Sequence, residues 1–328
     1  MSAIRQFLIL SQLASFETIR QPVVILLVIS CVVLTGAVPV LLNFDFGEEG
    51  KITRDAGLAL YFVTGLFVAG YGACLSFGRE IRSGTAQVVL SKPVNRDVFF
   101  LSRFVGILFV IICFSYIMLI AILMAERTSE RFHLEPGLIG YITDWQTGIM
   151  LLLAPCIALF VSAILNYYRK YSFCSTTFAS LLITITIVVL ISGFFDRYGR
   201  WSPFDLRVNL RLIPCTVLIS FALIMVSAIV LLLSTRLTLV PTLSLSFAIF
   251  ICGLLSDYMF GQTARSSLLP ALFYRLLPNF QHFWTADAIM GDGSVSWLYV
   301  ADAGLYALEY TAALLFLGIF MFRRTEVF

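Results

Sequence analysis

Charge is scarce in this sequence. Asp, Glu, Lys and Arg make up 12% of its 328 residues, whereas 60% are hydrophobic and the mean hydropathy is +0.96. Soluble domains carry about 25% charged residues, so the composition excludes soluble enzymes and nucleic-acid-binding proteins. The net charge of +3 is too small to indicate a polyanionic partner. The sequence instead predicts an all-α polytopic membrane protein.

Motifs for nucleotide and metal chemistry are also missing. Only three lysines are present, and none lies in a GxxxxGK[ST] phosphate loop; Lys51 follows Gly50 but precedes Ile52. There is no HExxH or GxSxG motif, and no cysteine has a CxxC partner. His133 and His282 lie in separate polar segments. We therefore expect a non-catalytic chain that holds no metal and no cofactor.

Eight apolar segments are long enough to cross a bilayer. Each should form a helix, because lipid offers no hydrogen-bond partner for an unpaired backbone amide. Only Ser234, Thr235 and Arg236 separate the sixth segment from the seventh, so a single bent helix there would reverse the topology of everything downstream. The predicted spans are about 23–42, 58–78, 104–125, 148–165, 173–195, 212–233, 237–256 and 297–322.

The distribution of basic residues predicts the orientation. Twelve of the 22 Lys and Arg residues fall in the segments 1–22, 79–103, 166–172, 234–236 and 323–328, which are the shorter share of the polar sequence. The positive-inside rule therefore favours cytoplasmic termini in the cell's inner (plasma) membrane. Segment 196–211, with four arginines, opposes this orientation. Residues 1–22 combine apolar with polar side chains in a pattern that predicts an interfacial amphipathic helix before a membrane domain over 23–328. The apolar residues are Ile4, Phe7, Leu8, Leu13, Ala14 and Phe16, and the polar ones are Arg5, Gln6, Gln12 and Glu17.

The segment between the second and third spans is the most informative. It combines charged residues with the apolar run Val88-Val89-Leu90 in a loop that should face the cytoplasm. Pro93 disfavours helix at Lys92, and Asn95 can cap the helix that enters the third span. The pattern predicts a short, rigid helix-turn-helix that protrudes from the inner face, as a membrane domain needs if a soluble partner is to push on it.

This loop resembles the inner loop of ABC-2 type ABC transporter permeases, in the branch with an extended first outer loop. The resemblance is carried here by Glu80, Gly84-Thr85, Val88-Val89-Leu90, the Ser-Lys-Pro-Val run from Ser91 to Val94, Arg96 and Arg103. The segment 47–58, GEEGKITRDAGL, is similar to the one that such permeases carry before their second span. The ending is similar too, with Leu277-Pro278-Asn279-Phe280 before a last span that closes in Phe322-Arg323-Arg324.

The resemblance implies a permease subunit that dimerises with a second copy or a related permease and binds separate cytoplasmic ATPase subunits. It implies that ATP is bound by that partner and that a coupling helix in this loop contacts it. Family members commonly have six spans, so 148–165 and 173–195 look like an inserted helical hairpin. The residues expected to couple to the ATPase are Glu80, Gly84, Thr85, Val88, Val89, Leu90, Ser91, Pro93 and Arg96.

The eighth span is the only one that carries charged residues. Asp302, Tyr306 and Glu309 lie at i, i+4 and i+7 and so share one stripe of the helix. Ionisable residues at membrane depth usually face protein or water. The stripe therefore indicates either the wall of a substrate pathway or a dimer interface, or, with a structural role only, hydrogen bonds between packed helices.

Two other classes of function stay open. An ion-gradient-driven secondary transporter usually shows broken helices and ionisable groups near mid-membrane, and Glu309 meets that description. An intramembrane enzyme needs an acid/base or nucleophile constellation at one depth, which the sequence does not offer. The broken apolar stretch 266–284 predicts an interfacial or re-entrant outer segment with an aromatic anchor. The sequence does not specify the substrate or whether transport is import or export, although export is expected.

Overall fold

The described part of the chain is almost entirely helical. The computed structural model describes residues 3–41, 50–82, 95–129, 131–135, 138–195, 201, 203–204, 208–260, 274, 277–289 and 293–324, with backbone only for 3, 77–82, 131–142 and 260. The helices are α1 Ala3–Ile19, α2 Pro22–Leu41, α3 Lys51–Arg82, α4 Arg96–Thr128, α5 Trp145–Arg169, α6 Phe173–Phe194, α7 Leu212–Ser234, α8 Leu239–Leu254, α9 Ser256–Phe260 and α10 Trp297–Arg323. Two 3-10 turns, Gln281–Phe283 and Ala286–Ile289, precede α10.

The predicted all-α membrane fold is confirmed. Within the described residues, α2 to α7 and α10 are long and apolar enough to cross a membrane. The remaining predicted span, 237–256, is α8, which has 16 residues and is therefore about 24 Å long, shorter than the hydrocarbon core. Leu243 lies near Gly70 and Phe250 near Phe62, so α8 runs antiparallel to α3.

Two helices are much longer than the predicted spans. α3 has 32 residues and α4 has 33, which corresponds to about 50 Å each. The sequence prediction ended both spans at their first charged residues, but charged side chains continue the helices beyond the apolar runs. The excess length carries α3 and α4 out of the bilayer, which is about 30 Å thick in its core.

The chain order defines two ends of the bundle. One end, here called the α1 end, holds α1, the start of α4 and the end of α10. The other, the hairpin end, holds the only strands among the described residues, β1 Arg131–Glu135 and β2 Leu138–Ile142, which pair antiparallel. The sequence analysis did not predict these strands. They connect the end of α4 to the start of α5.

The centre of the bundle is formed by α3, α4 and α7. Tyr61 is fully buried between them. Its hydroxyl lies 2.6 Å from Ser115 Oγ of α4 and 2.9 Å from Ser220 Oγ of α7. A buried phenol without partners would destabilise an apolar interior, so this shared hydrogen bonding fixes the relative heights of three helices.

Small side chains allow α3 to approach its neighbours closely. Ala69 and Ala73 are fully buried, and Gly65 faces Leu223 of α7 so tightly that a Cβ there would lie 2.5 Å from the leucine side chain. Small side chains at these positions therefore permit the close packing of α3. A second close pair is α5 and α6, which form an antiparallel helical hairpin with Ser162 Oγ 3.0 Å from Ser180 Oγ.

α1 packs on the bundle through its small and polar side. Ser11, Ala14, Ser15 and Thr18 are buried together with Leu10 and Ile19, whereas five other large apolar side chains of the helix are exposed. Ser15 Oγ donates to the Gly106 carbonyl at 3.1 Å. The exposed apolar residues are Ile4, Leu8, Ile9, Leu13 and Phe16. This arrangement suits a helix that lies between protein and lipid, with no apolar side chain left facing water.

Replacing Gly106 with alanine should weaken the packing of α1 on α4. The new Cβ would lie 2.5 Å from Ala14 Cβ and 2.7 Å from the Ser11 carbonyl oxygen, and a backbone oxygen cannot move by a rotamer change. We expect the free energy of unfolding in detergent micelles to fall by about 1–3 kcal/mol. Gly70→Ala is the control, since its Cβ would first meet a flexible side-chain end, Leu243 Cδ2, at 3.2 Å. Equal stabilities of the two variants would contradict the packing.

Candidate functional site

The predicted coupling loop is anchored at both of its ends by long helices. α3 continues to Arg82, so Glu80 lies in its last turn, and α4 begins at Arg96. Asn95 occupies the position before α4 with an extended backbone, as predicted, but its side chain makes no capping hydrogen bond. Gly84, Thr85, Val88, Val89, Leu90, Ser91 and Pro93 lie outside the described residues.

The first turn of α4 is bonded to the last turn of α10. Arg96 Nη1 donates to the Arg323 carbonyl at 3.1 Å. Arg323 in turn forms a two-pronged ion pair with Asp97, in which Nε lies 2.8 Å from Oδ1 and Nη2 contacts Oδ2. Bidentate guanidinium–carboxylate pairs fix geometry as well as distance. The start of α4 is therefore aligned with the end of the last helix.

A buried ion pair joins α4 to α1. The Arg103 side chain is 0% exposed, and its Nη1 donates to Glu17 Oε2 at 2.6 Å. The same guanidinium lies over the Phe99 ring, 5.1 Å from its centroid. An arginine withdrawn from solvent needs a counter-charge, because its desolvation otherwise outweighs any packing gain. Glu17 supplies that charge and is 36% exposed, so the pair reaches the surface on its α1 side.

Aromatic side chains fill the space between these polar contacts. Phe99 and Phe100 of α4 both pack against Phe322 of α10, with ring centroids 6.1 Å apart in each pair, and all three rings are fully buried. Gly318 lets Phe100 approach the α10 backbone. The start of α4 is thus held by α1 on one side and by α10 on the other. We call Glu17, Asp97, Phe99, Arg103 and Arg323 the α4 anchor.

A second polar cluster lies at the hairpin end. Arg54 of α3 and Glu126 of α4 are both buried, with Nη1 and Oε1 4.0 Å apart. Asn209, in the segment before α7, donates to Glu126 Oε1 at 2.9 Å. These contacts hold the far ends of α3 and α4 and the entry to α7 together. They also place Asn209 at the end opposite the predicted cytoplasmic loops.

Arg127, the residue after Glu126, connects α4 to the hairpin of α5 and α6. Its Nε donates to Asp144 Oδ2 at 3.2 Å, and Asp144 caps α5 by accepting from the Thr147 amide at 3.2 Å. Its other nitrogens donate to the carbonyls of Ser192 and Phe195 at the end of α6. A cation at a helix C-terminus is stabilised by the unpaired carbonyls there.

The predicted stripe on the last span is divided by the structure. Tyr306 is half-buried and accepts from the Asn279 amide at 2.9 Å, so it packs within the chain. Asp302 and Glu309 are exposed on the outer surface of α10. α10 is also the least buried of the long helices. This hydrogen bond joins Tyr306 to the segment before α10 and not to a packed helix. The interpretation of the stripe as a pathway wall or a dimer interface stays a prediction.

The segment that leads into α10 folds back onto the bundle. Phe280 and Phe283 are buried, and the Trp284 ring stacks on Phe62 at 5.8 Å between centroids. Gln281 Nε2 donates to the Leu254 carbonyl at the end of α8, at 2.7 Å. The aromatic residues predicted to anchor at the lipid surface therefore pack into the protein instead. Of the stretch 266–284, residues 266–273 and 275–276 lie outside the described residues.

One titratable pair lies in this region outside the membrane spans. Tyr274 donates to Asp257 Oδ1 of α9 at 2.6 Å. This hydrogen bond holds the pKa of Asp257 below its ordinary value and raises the pKa of Tyr274. Both groups therefore keep their usual charge states at neutral pH, and the hydrogen bond ties Tyr274 to α9.

Nothing in the sequence identifies the partners of the buried charges. Glu17 is a polar residue of the predicted amphipathic helix, and Arg54, Glu126 and Arg127 fall between the predicted spans. A usable signal was present in α1, where Ser11, Ala14, Ser15 and Thr18 form a stripe of small side chains that is typical of close helix packing. Ion pairs between distant residues, such as Arg103 with Glu17, leave no such local signal.

The polar clusters at the two ends of the bundle join helices to one another. No group of three or more His, Cys, Asp or Glu side chains that could hold a metal ion occurs among the described residues. Comparison with family models, with curated proteins and with solved structures gave no match.

The ion pair of Glu17 and Arg103 should show a larger coupling energy than an exposed ion pair. In a double-mutant cycle of Glu17→Gln and Arg103→Met, measured by the free energy of unfolding, we expect a coupling energy of about 1–3 kcal/mol, because one partner is buried and the other partly exposed. The matched cycle of Asp97→Asn and Arg323→Gln should give less than about 1 kcal/mol, because the Arg323 side chain is 62% exposed. The reverse order would contradict the assignment of Arg103 as the main anchor.

Proposed function

We propose that this chain is the permease subunit of an ABC transporter, which forms the translocation pathway and is driven by separate cytoplasmic ATPase subunits. The observation that carries the proposal is the α4 anchor. It lies directly after the loop 79–97 whose residues resemble an ATPase-coupling segment, and it joins that loop's exit helix to α1 and α10. Force applied to the loop would therefore reach three helices together.

The length of the two flanking helices supports the same mechanism. α3 and α4 extend beyond the bilayer thickness and approach the loop from both sides. A stiff helix transmits displacement along its axis, whereas a flexible linker absorbs it. The buried Tyr61 contacts with Ser115 and Ser220 then carry motion of α3 and α4 to α7 at mid-membrane. Such coupling through contiguous packed elements fits a transporter that alternates between two conformations.

In this proposal the α1 end faces the cytoplasm, and the protein resides in the inner (plasma) membrane. ATP is bound by the partner, and this chain holds no cofactor and catalyses no reaction. Two permease copies, or this chain and a related one, assemble around the pathway, and the direction is export. Asp302 and Glu309 are exposed on α10 at membrane depth, where bare contact with lipid is unfavourable. They therefore line the pathway or the interface with the second copy.

One observation favours a second candidate, an ion-gradient-driven secondary transporter. Glu309 is a carboxyl group within a span, and the short helix α8 is followed by a segment that folds back into the bundle, as in transporters with discontinuous helices. Binding of a proton or cation at Glu309 could then drive transport without ATP.

Changing Val89 and Leu90 to aspartate should abolish copurification with the cognate ATPase, because two charges would replace the apolar surface that the proposal seats on that subunit. ATPase activity that depends on the permease should fall at least tenfold. Tyr168→Asp is the matched control, since it adds a charge to an exposed position in the last turn of α5, at the same end of the bundle. Unchanged assembly of the Val89→Asp/Leu90→Asp chain with every candidate ATPase would overturn the coupling assignment.

Transport in proteoliposomes separates the two candidates. The ABC proposal predicts that accumulation requires ATP and the ATPase subunit, and that a proton or sodium gradient alone gives none. The matched variant Glu309→Gln should leave ATP dependence in place. Gradient-driven transport by the purified chain without nucleotide, lost in Glu309→Gln, would favour the secondary transporter instead.

A further inference from the structure

An open apolar groove lies on the outside of the bundle between α2, α3, α7 and α8. Its volume is about 290 Å³, and its lining is apolar apart from Tyr71 and Ser246. Ser246 Oγ already donates to the Leu243 carbonyl at 3.0 Å. Specific pockets for polar small molecules place several polar groups toward the ligand, and this lining does not. Its chemistry suits a hydrocarbon chain.

The groove opens sideways to where lipid would lie. Val23, Phe67 and Phe247, one from each of three helices, line it and are 41%, 55% and 51% exposed. Its volume is at the small end of the range of about 300–1,000 Å³ for ligand pockets. It therefore takes a segment of one acyl chain, while the rest of the molecule stays in the bilayer.

The residues that line the groove show at which end of the bundle it opens. Val23 lies in the first turn of α2 and Leu243 near the start of α8, so the groove begins at the α1 end and runs inward to Phe250. Thr18 packs against Gly72 of α3, next to the lining residue Tyr71. The mouth is thus at the membrane surface on the α1 end.

Two arginines flank that mouth. Arg20 is in the turn between α1 and α2, three residues before Val23, and Arg236 is in the turn between α7 and α8, seven residues before Leu243. Both side chains are exposed. Basic residues at the membrane surface attract anionic headgroups, each contributing to affinity for the leaflet that carries them.

We propose that this groove binds an anionic phospholipid, with an acyl chain between α2, α3 and α8 and the phosphate at Arg20 and Arg236. The groove supplies the chain site, and the two arginines supply the selectivity for negative charge. The proposal does not depend on an ATPase partner, since every residue it uses belongs to this chain. Because α3 and α8 both line the groove, the bound lipid becomes part of the packing beside the central helices.

Native mass spectrometry of the purified, delipidated full chain tests the proposal. Palmitoyl-oleoyl phosphatidylglycerol and the corresponding phosphatidylcholine are titrated separately, and the bound fraction gives the affinity for each. We expect the wild-type chain to bind phosphatidylglycerol about tenfold more tightly, as two added basic contacts would give. Equal affinity for the two lipids would overturn the headgroup assignment.

Two sets of variants separate the chain site from the headgroup site. Val23→Trp should fill the groove and lower the affinity for both lipids at least fivefold, with Val23→Phe as a milder version if the first variant does not fold. Val33→Trp is the control, since Val33 is 37% exposed on the same helix and does not line the groove. Unchanged binding in the folded Val23 variant would overturn the chain site.

Arg20→Gln/Arg236→Gln should remove the preference for phosphatidylglycerol while phosphatidylcholine still binds. The matched control is Arg169→Gln/Lys170→Gln, which removes the same charge from the exposed turn after α5 at the same end. A preference that persists in the Arg20/Arg236 variant, or is lost equally in the control, would show unspecific attraction and overturn the proposal.

Discussion

A guanidinium group buried where α4 enters the bundle is the constraint on which the rest of this structure depends. The Arg103 side chain has no access to solvent, so its guanidinium group must be paired with a negative charge and packed against apolar neighbours. Glu17 and the Phe99 ring meet both needs. Because Glu17 belongs to α1, that helix must lie against α4, and its small side chains must face inward. The arrangement of α1, with five large apolar residues outward and its small side chains inward, follows from this one requirement.

The same logic applies at other heights of the bundle. At the hairpin end, Arg54, Glu126 and Arg127 are withdrawn from solvent and are paired with groups on α4, α5, α6 and the entry to α7. At mid-membrane, Tyr61 shares hydrogen bonds with α4 and α7. Lipid offers a polar group no hydrogen-bond partner, so polar side chains in the bundle must bond to one another. Each polar cluster therefore fixes which helices are neighbours. The protein is thus held by polar contacts at three levels, with apolar packing between them.

The sequence was sufficient to predict the helices but not the partners of the buried charges. Runs without charge located α2, α5, α6 and α7 to within a few residues, because the energetic cost of an unpaired amide in lipid leaves helix as the only choice. The same rule began the second span at residue 58, although α3 already begins at Lys51. The start of α4 at Arg96 was indicated by Asn95 and not by the apolar run. Arg103 and Glu17 are 86 residues apart, and only the tertiary arrangement of α1 brings them together. Glu309 was found from sequence because a carboxyl group inside an apolar run is a local signal.

The separation of Glu17 and Arg103 along the chain has a consequence for biogenesis. Glu17 leaves the ribosome 86 residues before its partner does, and two spans are synthesised in the interval. During that time α1 has its outward apolar side chains to hold it on the lipid surface, while its small, polar side can contact α3 through Thr18 and Gly72 but still lacks α4. Insertion of α4 then completes the contact. The outward apolar side of α1 therefore acts as a temporary tether during translation before it becomes part of the finished protein's boundary with lipid.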